Sequence, residues 1–110
     1  MAEWVEIIPS NKRHITVTVA AGQEQVALHA SAGFRDLVGV VEADQDTQIE
    51  VQWGFTRSGG PVQWRFTDTV SLTANVAKKF VLDVVCPMVK VILKAGAADT
   101  TFRVYAALRG

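Results

Sequence analysis

At 110 residues the chain is the size of one ordinary domain and too short for two, and its 49% hydrophobic content can fill a core without disulfide or metal staples. Eleven basic and eleven acidic residues give zero formal charge, which argues against nucleic acid as a partner because phosphate binding needs a cationic excess. Cys86 is the only cysteine, so an intramolecular disulfide and a cysteine-rich zinc site are both excluded.

The chain opens on Trp4, Val5, Ile7 and Ile8, interleaved with Glu3 and Glu6 and followed by Pro9. Segment 1–12 reads either as an edge strand or as an N-terminal arm that docks on a neighbour. Its four apolar residues are candidates for a partner interface, tryptophan being enriched at interface hot spots. Acidic residues stand where a secretory leader would be basic, and no run approaches the roughly 18 apolar residues of a membrane helix. These features predict a protein made and folded in a reducing cytoplasm, with neither membrane nor nucleic acid as partner.

From there the period is two almost throughout, the signature of half-buried strands. Ile15, Val17 and Val19 alternate with Thr16 and Thr18, and Val26, Leu28 and Ala30 with Ala27, His29 and Ser31. The run Leu37 to Val41 is nearly all apolar around Gly39, which suits a central strand or a bulge. Ile49, Val51, Trp53 and Phe55 face a second strand bearing Val62, Trp64 and Phe66 across the turn Ser58-Gly59-Gly60-Pro61, a hairpin with paired aromatics. Val76 to Val85 fits a short helix through Val76, Phe80 and Val84, or a strand through Phe80, Leu82 and Val84; the surrounding strands favour the latter. Val89, Val91 and Leu93 follow, with Ile92 on the polar side, and Phe102, Val104, Ala106 and Leu108 close the chain.

Strands are therefore expected over 3–8, 14–20, 25–31, 36–43, 47–56, 62–67, 69–73, 78–86, 88–94 and 100–108, some of them merging. The prediction is one all-β domain over 1–110, an antiparallel β-sandwich of eight or nine short strands in a jelly-roll-like arrangement that hides its edges.

Reactive constellations are not expected. There is no phosphate loop, serine elbow or paired-histidine motif. His14 and His29 read as surface or interface histidines, and Cys86 as a buried thiol with no histidine near it in sequence. Asp44 and Asp46 could begin a calcium loop, but the later oxygen ligands are missing, so a solvated turn is favoured. Asp83 and Asp99 have no carboxylate partner at glycosidase spacing. Trp53, Phe55, Trp64 and Phe66 could form a sugar-stacking platform, but each lies on the apolar phase of its strand, which favours the core. No catalytic residue, metal or cofactor is expected.

Several segments together form a pattern: Leu37-Val38-Gly39-Val40-Val41-Glu42-Ala43-Asp44, then Ile49-Glu50-Val51-Gln52, then Ser58-Gly59-Gly60-Pro61-Val62-Gln63-Trp64. Phe80-Val81-Leu82 and Val89-Lys90-Val91 follow, and Ala95-Gly96-Ala97-Ala98-Asp99-Thr100-Thr101-Phe102-Arg103-Val104-Tyr105 closes it. The pattern covers about two thirds of the chain and resembles small β-sandwich virion proteins of tailed bacteriophages. The hairpin turn departs from it, with Ser58-Gly59-Gly60-Pro61 where Asp-Gly is more usual, and so does Lys94-Ala95, where Asn often stands. The resemblance implies a virion subunit: a capsid decoration (cement) protein, a head spike or fibre base, or a tail module. The leading expectation is a decoration protein that binds the major capsid protein as a homo-oligomer, a trimer being favoured. The alternative is a carbohydrate-binding or structural module of a tail or baseplate. A glycan array without hits would remove that alternative.

Overall fold

A chain that alternates apolar and polar residues can satisfy its backbone only by pairing strands, and can dry its apolar side only by stacking two sheets. The computed structural model describes residues 5–7, 12–31, 36–56, 60–83 and 86–109, and among these there are nine strands and no helix. They are β1 (Val5–Ile7), β2 (Lys12–Val19), β3 (Glu24–Ser31), β4 (Asp36–Ala43), β5 (Thr47–Phe55), β6 (Gln63–Leu72), β7 (Lys78–Asp83), β8 (Met88–Lys94) and β9 (Thr100–Arg109). One sheet has the order β1-β2-β9-β4-β7 and the other β3-β8-β5-β6, every pairing antiparallel. The molecule is an all-β, two-sheet sandwich.

The core lies between the sheets, where the alternating sets meet. Ile15, Val17 and Val19 of β2, Phe102, Val104, Ala106 and Leu108 of β9, and Leu37 and Val41 of β4 line one wall. Ile49, Val51 and Trp53 of β5 with Val89, Val91 and Leu93 of β8 line the other. The central strands β4, β5, β8 and β9 hold the fully sealed side chains, as strands with neighbours on both sides should. The predicted strands 62–67 and 69–73 are one strand, β6, because Thr67, Asp68 and Thr69 continue its pairing with β5. Residues 78–83 form a strand, not a helix; Phe80 is buried, and Val76 lies outside β7, exposed.

Gly39 sits mid-strand in β4, opposite Phe80 on one side and Ala106 on the other, with no bulge. A Cβ there would stand 2.5 Å from the Tyr105 carbonyl oxygen and 2.6 Å from Cζ of Phe80. The glycine thus leaves the space in which the phenyl ring lies across the strand.

Two bulges interrupt the alternation. In β3 the pairing skips Ala27, which puts Val26 opposite Ile92 and Leu28 opposite Val91. Leu28 stays inside while Val26 is turned out, against the common phase expected from sequence. In β6 the pairing skips Arg65: Trp53 faces Phe66, but Gly54 faces Trp64 and Phe55 faces Gln63. The expected pairing of Phe55 with an aromatic is lost for that reason.

At one end of the sandwich three aspartates tie the loops together. The Oδ1 of Asp44 accepts from Thr101 N–H at 2.9 Å, that of Asp46 from Ala74 N–H at 2.8 Å, and that of Asp99 from Ala21 N–H at 2.9 Å. Each carboxylate reaches a loop or strand start distant in sequence, so the turns 20–23, 44–46, 73–77 and 95–99 hold one another. Gly22 N–H donates to Gly96 C=O and Asn75 N–H to Ala43 C=O, with Asn75 in the left-handed region at φ 64°. Asp44 and Asp46 are in an exposed bend, as a turn reading requires, and act there as loop ties.

Gly39→Ala should destabilise the protein by about 1–3 kcal/mol through overpacking, and adding Phe80→Leu should recover part of that loss in urea unfolding. Asp44→Ala, Asp46→Ala and Asp99→Ala should each cost roughly 0.5–2 kcal/mol, whereas exposed Asp83→Ala should stay within about 0.5 kcal/mol.

Candidate functional site

Each sheet turns its second face to solvent, and the register fixes what that face displays. On the four-stranded sheet, one row across β3, β8, β5 and β6 is His29, Lys90, Gln52 and Thr67. The next row toward the chain end of β5 sets Met88 and Gly54 beside Trp64. Because the bulge at Arg65 reverses the phase of β6, Trp64 points out of the sandwich while Phe66, Asp68, Val70 and Leu72 follow the inward phase.

Gly54 provides the floor under the indole. A Cβ at Gly54 would stand 3.0 Å from Cε3 of Trp64 and would collide with the Gln63 carbonyl oxygen. The half-buried indole has the Lys90 ammonium 4.6 Å from its centroid and the His29 ring at 5.7 Å, tilted by 56°. Farther along the same face, Lys94 bonds Glu50 at 3.1 Å and approaches Glu24 at 3.8 Å. The hydrogen bond to Glu50 raises the Lys94 pKa above its ordinary value, with burial opposing and both carboxylates adding attraction. The lysine's share of that stabilisation is fully present at neutral pH and is lost as pH rises through the raised lysine value.

The inward phase of β6 is covered only in part. Val70 and Leu72 are buried, but Asp68 is exposed and Phe66 is 59% exposed, so burial along this edge strand is lost toward its start. Phe66 and Trp64 therefore depart from the core placement that their phase suggested. Trp53 keeps it, fully buried, and donates from Nε1 to the Asp68 carboxylate at 2.8 Å. Phe55 is half-buried with the Arg65 guanidinium 5.9 Å from its ring.

On the outer face of the five-stranded sheet, His14, Tyr105, Val40 and Lys79 form one row, and Ala107, Val38 and Val81 the next. Val81 is 64% exposed, Val40 45% and Tyr105 37%, with Val38 half-buried between them. This is a connected apolar strip rimmed by Lys79, Arg103 and Glu42.

Of the N-terminal candidates, Val5 and Ile7 belong to β1, which among the described residues pairs only with β2, at the edge of that sheet. Trp4 and Ile8 lie outside the described residues. His14 is exposed on the apolar-strip side and His29 on the tryptophan side, so the two histidines are on different sheets. Cys86 is half-buried against the core as a free thiol. Among the described residues no three His, Cys, Asp or Glu side chains could hold one metal ion. The hollow between Glu42, Asp44, Asn75, Thr101 and Arg103 at the tied end is open, and its Asp44 is already engaged by backbone. What sequence reading missed is the outward Trp64. The signal was Gly54, a glycine in phase with polar Glu50 and Gln52, which leaves room for an aromatic on the wet face.

The two described tryptophans should separate cleanly in unfolding experiments. Trp53→Ala should cost about 3–5 kcal/mol, as for a sealed core aromatic, and Trp64→Ala about 1 kcal/mol, with native circular dichroism retained. No protein-family model matches the chain, and no curated protein matches it.

Proposed function

We propose that this chain is a structural virion protein of a tailed phage, a capsid decoration protein that binds the head surface as a homo-oligomer, with a trimer favoured. The observation that carries the reading is the apolar strip of Val38, Val40, Val81 and Tyr105 on the outer face of the five-stranded sheet. Exposed apolar residues scattered singly need no explanation, but a connected strip on an ordered sheet marks a surface that another protein covers. The resemblance to phage virion proteins supplies the context, and the neutral net charge permits copies of the chain to pack together.

The strand arrangement belongs to the same reading. The pairs β2–β9, β3–β8, β4–β7 and β5–β6 nest one inside the next, as when one long hairpin is rolled into two sheets. We read this as a jelly roll, a fold whose stability is carried inside and whose outer faces are free for partners. Decoration then works mechanically: apolar area buried across joints between capsid subunits must be re-exposed before they separate. A trimer suits joints where subunits meet in threes, and the rolled sandwich would project from them. The partner is the major capsid protein or another virion protein, on a particle assembled in the host cytoplasm. The role is binding and assembly, not catalysis.

Mass spectrometry of purified particles should find the protein in stoichiometric amounts; its presence only in free lysate would sink the reading. Val40→Asp with Val81→Asp should leave a folded protein that no longer binds particles, because both side chains are exposed and neither seals the core. Deleting residues 1–8 removes an edge strand that pairs with β2 alone, so the remainder should stay folded while losing affinity for the particle in co-sedimentation.

A further inference from the structure

We propose that the outer face of the four-stranded sheet around Trp64 is a carbohydrate-binding site for acidic glycans, a function separate from attachment through the opposite face. A pyranose ring presents C–H bonds of slight positive charge on one side, and these seat on the negative face of an indole. Trp64 offers such a face at the surface and is held in place: the Arg65 bulge turns it outward, and Gly54 removes the side chain that would lift it off the sheet.

Polar groups for sugar hydroxyls stand alongside. His29, Lys90, Gln52 and Thr67 occupy one row across the four strands, spanning roughly 14 Å at the usual strand spacing, room for a disaccharide beside the stacked ring. All four residues are rooted on paired strands, so the spacing of their backbone positions is set before a ligand arrives.

Charge selects the class of glycan. Lys94 is neutralised by Glu50 and Glu24 at one end of this face. Lys90 has the Trp64 ring as its described partner, with no carboxylate in ion-pair range among the described residues. A long flexible ammonium resting on an indole can move aside as a sugar stacks, then bond to a carboxylate on that sugar. A uronic or sialic acid unit meets both demands, a ring to stack and a carboxylate to pair. Nucleic acid carries a phosphate at every step and needs several unpaired cations, whereas Lys90 alone suits one carboxylate beside a stacked ring. A protein partner would want a contiguous apolar surface, and the polar row separates Trp64 from Val26 and Ile92.

The test uses the full chain in calorimetric titrations with oligogalacturonate and oligosialic acid, against maltotriose, cellotriose and an oligothymidine of similar length. At least one acidic oligosaccharide should bind and the neutral sugars and oligothymidine should bind at least tenfold more weakly. Trp64→Ala should abolish the binding, and Lys90→Met should weaken it roughly tenfold. Should Trp64→Ala fail to fold, Lys90→Met and His29→Ala carry the same test, since both alter exposed or half-buried side chains. Val40→Asp on the opposite sheet should leave glycan binding unchanged, which separates this site from the particle-binding strip. Failure of both acidic probes to bind, equal binding of neutral sugars, tighter binding of oligothymidine, or affinity indifferent to Trp64 and Lys90 would overturn the proposal.

Discussion

Most of the described strands turn alternate side chains to the core and to solvent, and the rest of the structure follows from keeping the two sets apart. The dry sides of β9 and β4 meet those of β5 and β8, so Phe102, Leu37, Ile49 and Val91 are all sealed from solvent. A one-residue slip in any pairing would exchange the two sides along the strand, which is why register is strongly specified here. Where alternation has to change, the chain inserts a single residue, Ala27 in β3 and Arg65 in β6. Both insertions fall in edge strands of the same sheet, where only one neighbour has to accommodate them. They also blunt those edges against pairing with other chains, as do Asp68 on the inward phase of β6 and Lys78 and Lys79 on β7.

Two glycines show how closely backbone and aromatic side chains are matched. Gly39 lies under Phe80 on the dry side of one sheet, and Gly54 under Trp64 on the wet side of the other. The same device gives opposite results. Inside, it fills the space left by the missing side chain and stabilises the core. Outside, it holds a large flat ring against a polar sheet and leaves part of it accessible. The energetic roles of the two rings differ accordingly, one resisting unfolding and the other left partly open to solvent.

The strands, and the inward phase of most of them, were legible because alternation is a direct record of burial. Ile15 to Val19, Ile49 to Trp53 and Phe102 to Leu108 each read correctly from spacing alone. Trp64 and Val26 did not, since a bulge adds a residue without leaving a compositional mark. Phe66 failed for a different reason. It keeps the inward phase yet is left exposed near the start of an edge strand, and whether an inward position is covered is a tertiary property. Asp44, Asp46 and Asp99 were legible as turn residues but not as ties, because each one's backbone partner is distant in sequence. The apolar strip was the least visible feature: Val38, Val40, Val81 and Tyr105 come from three strands that are adjacent only once the sheet is assembled.

The separation of the two outer faces is itself informative. Apolar residues on a wet face add nothing to the core, and on a monomer they carry a standing risk of aggregation. Here the strip is bordered by Lys79, Glu42 and Arg103, charges of both signs, which interrupt it without covering it. Mixed charge at a rim favours a partner of matching pattern and opposes indiscriminate sticking. The opposite sheet is more polar, with one held aromatic and with Val26 beside Ile92 among its outward apolar residues. An all-β sandwich whose inner faces and tied loop end already secure the fold can support both surfaces at once, because neither uses the side chains that keep the sheets together. Attachment through one sheet would leave the other facing solvent, where a soluble or surface glycan could reach it.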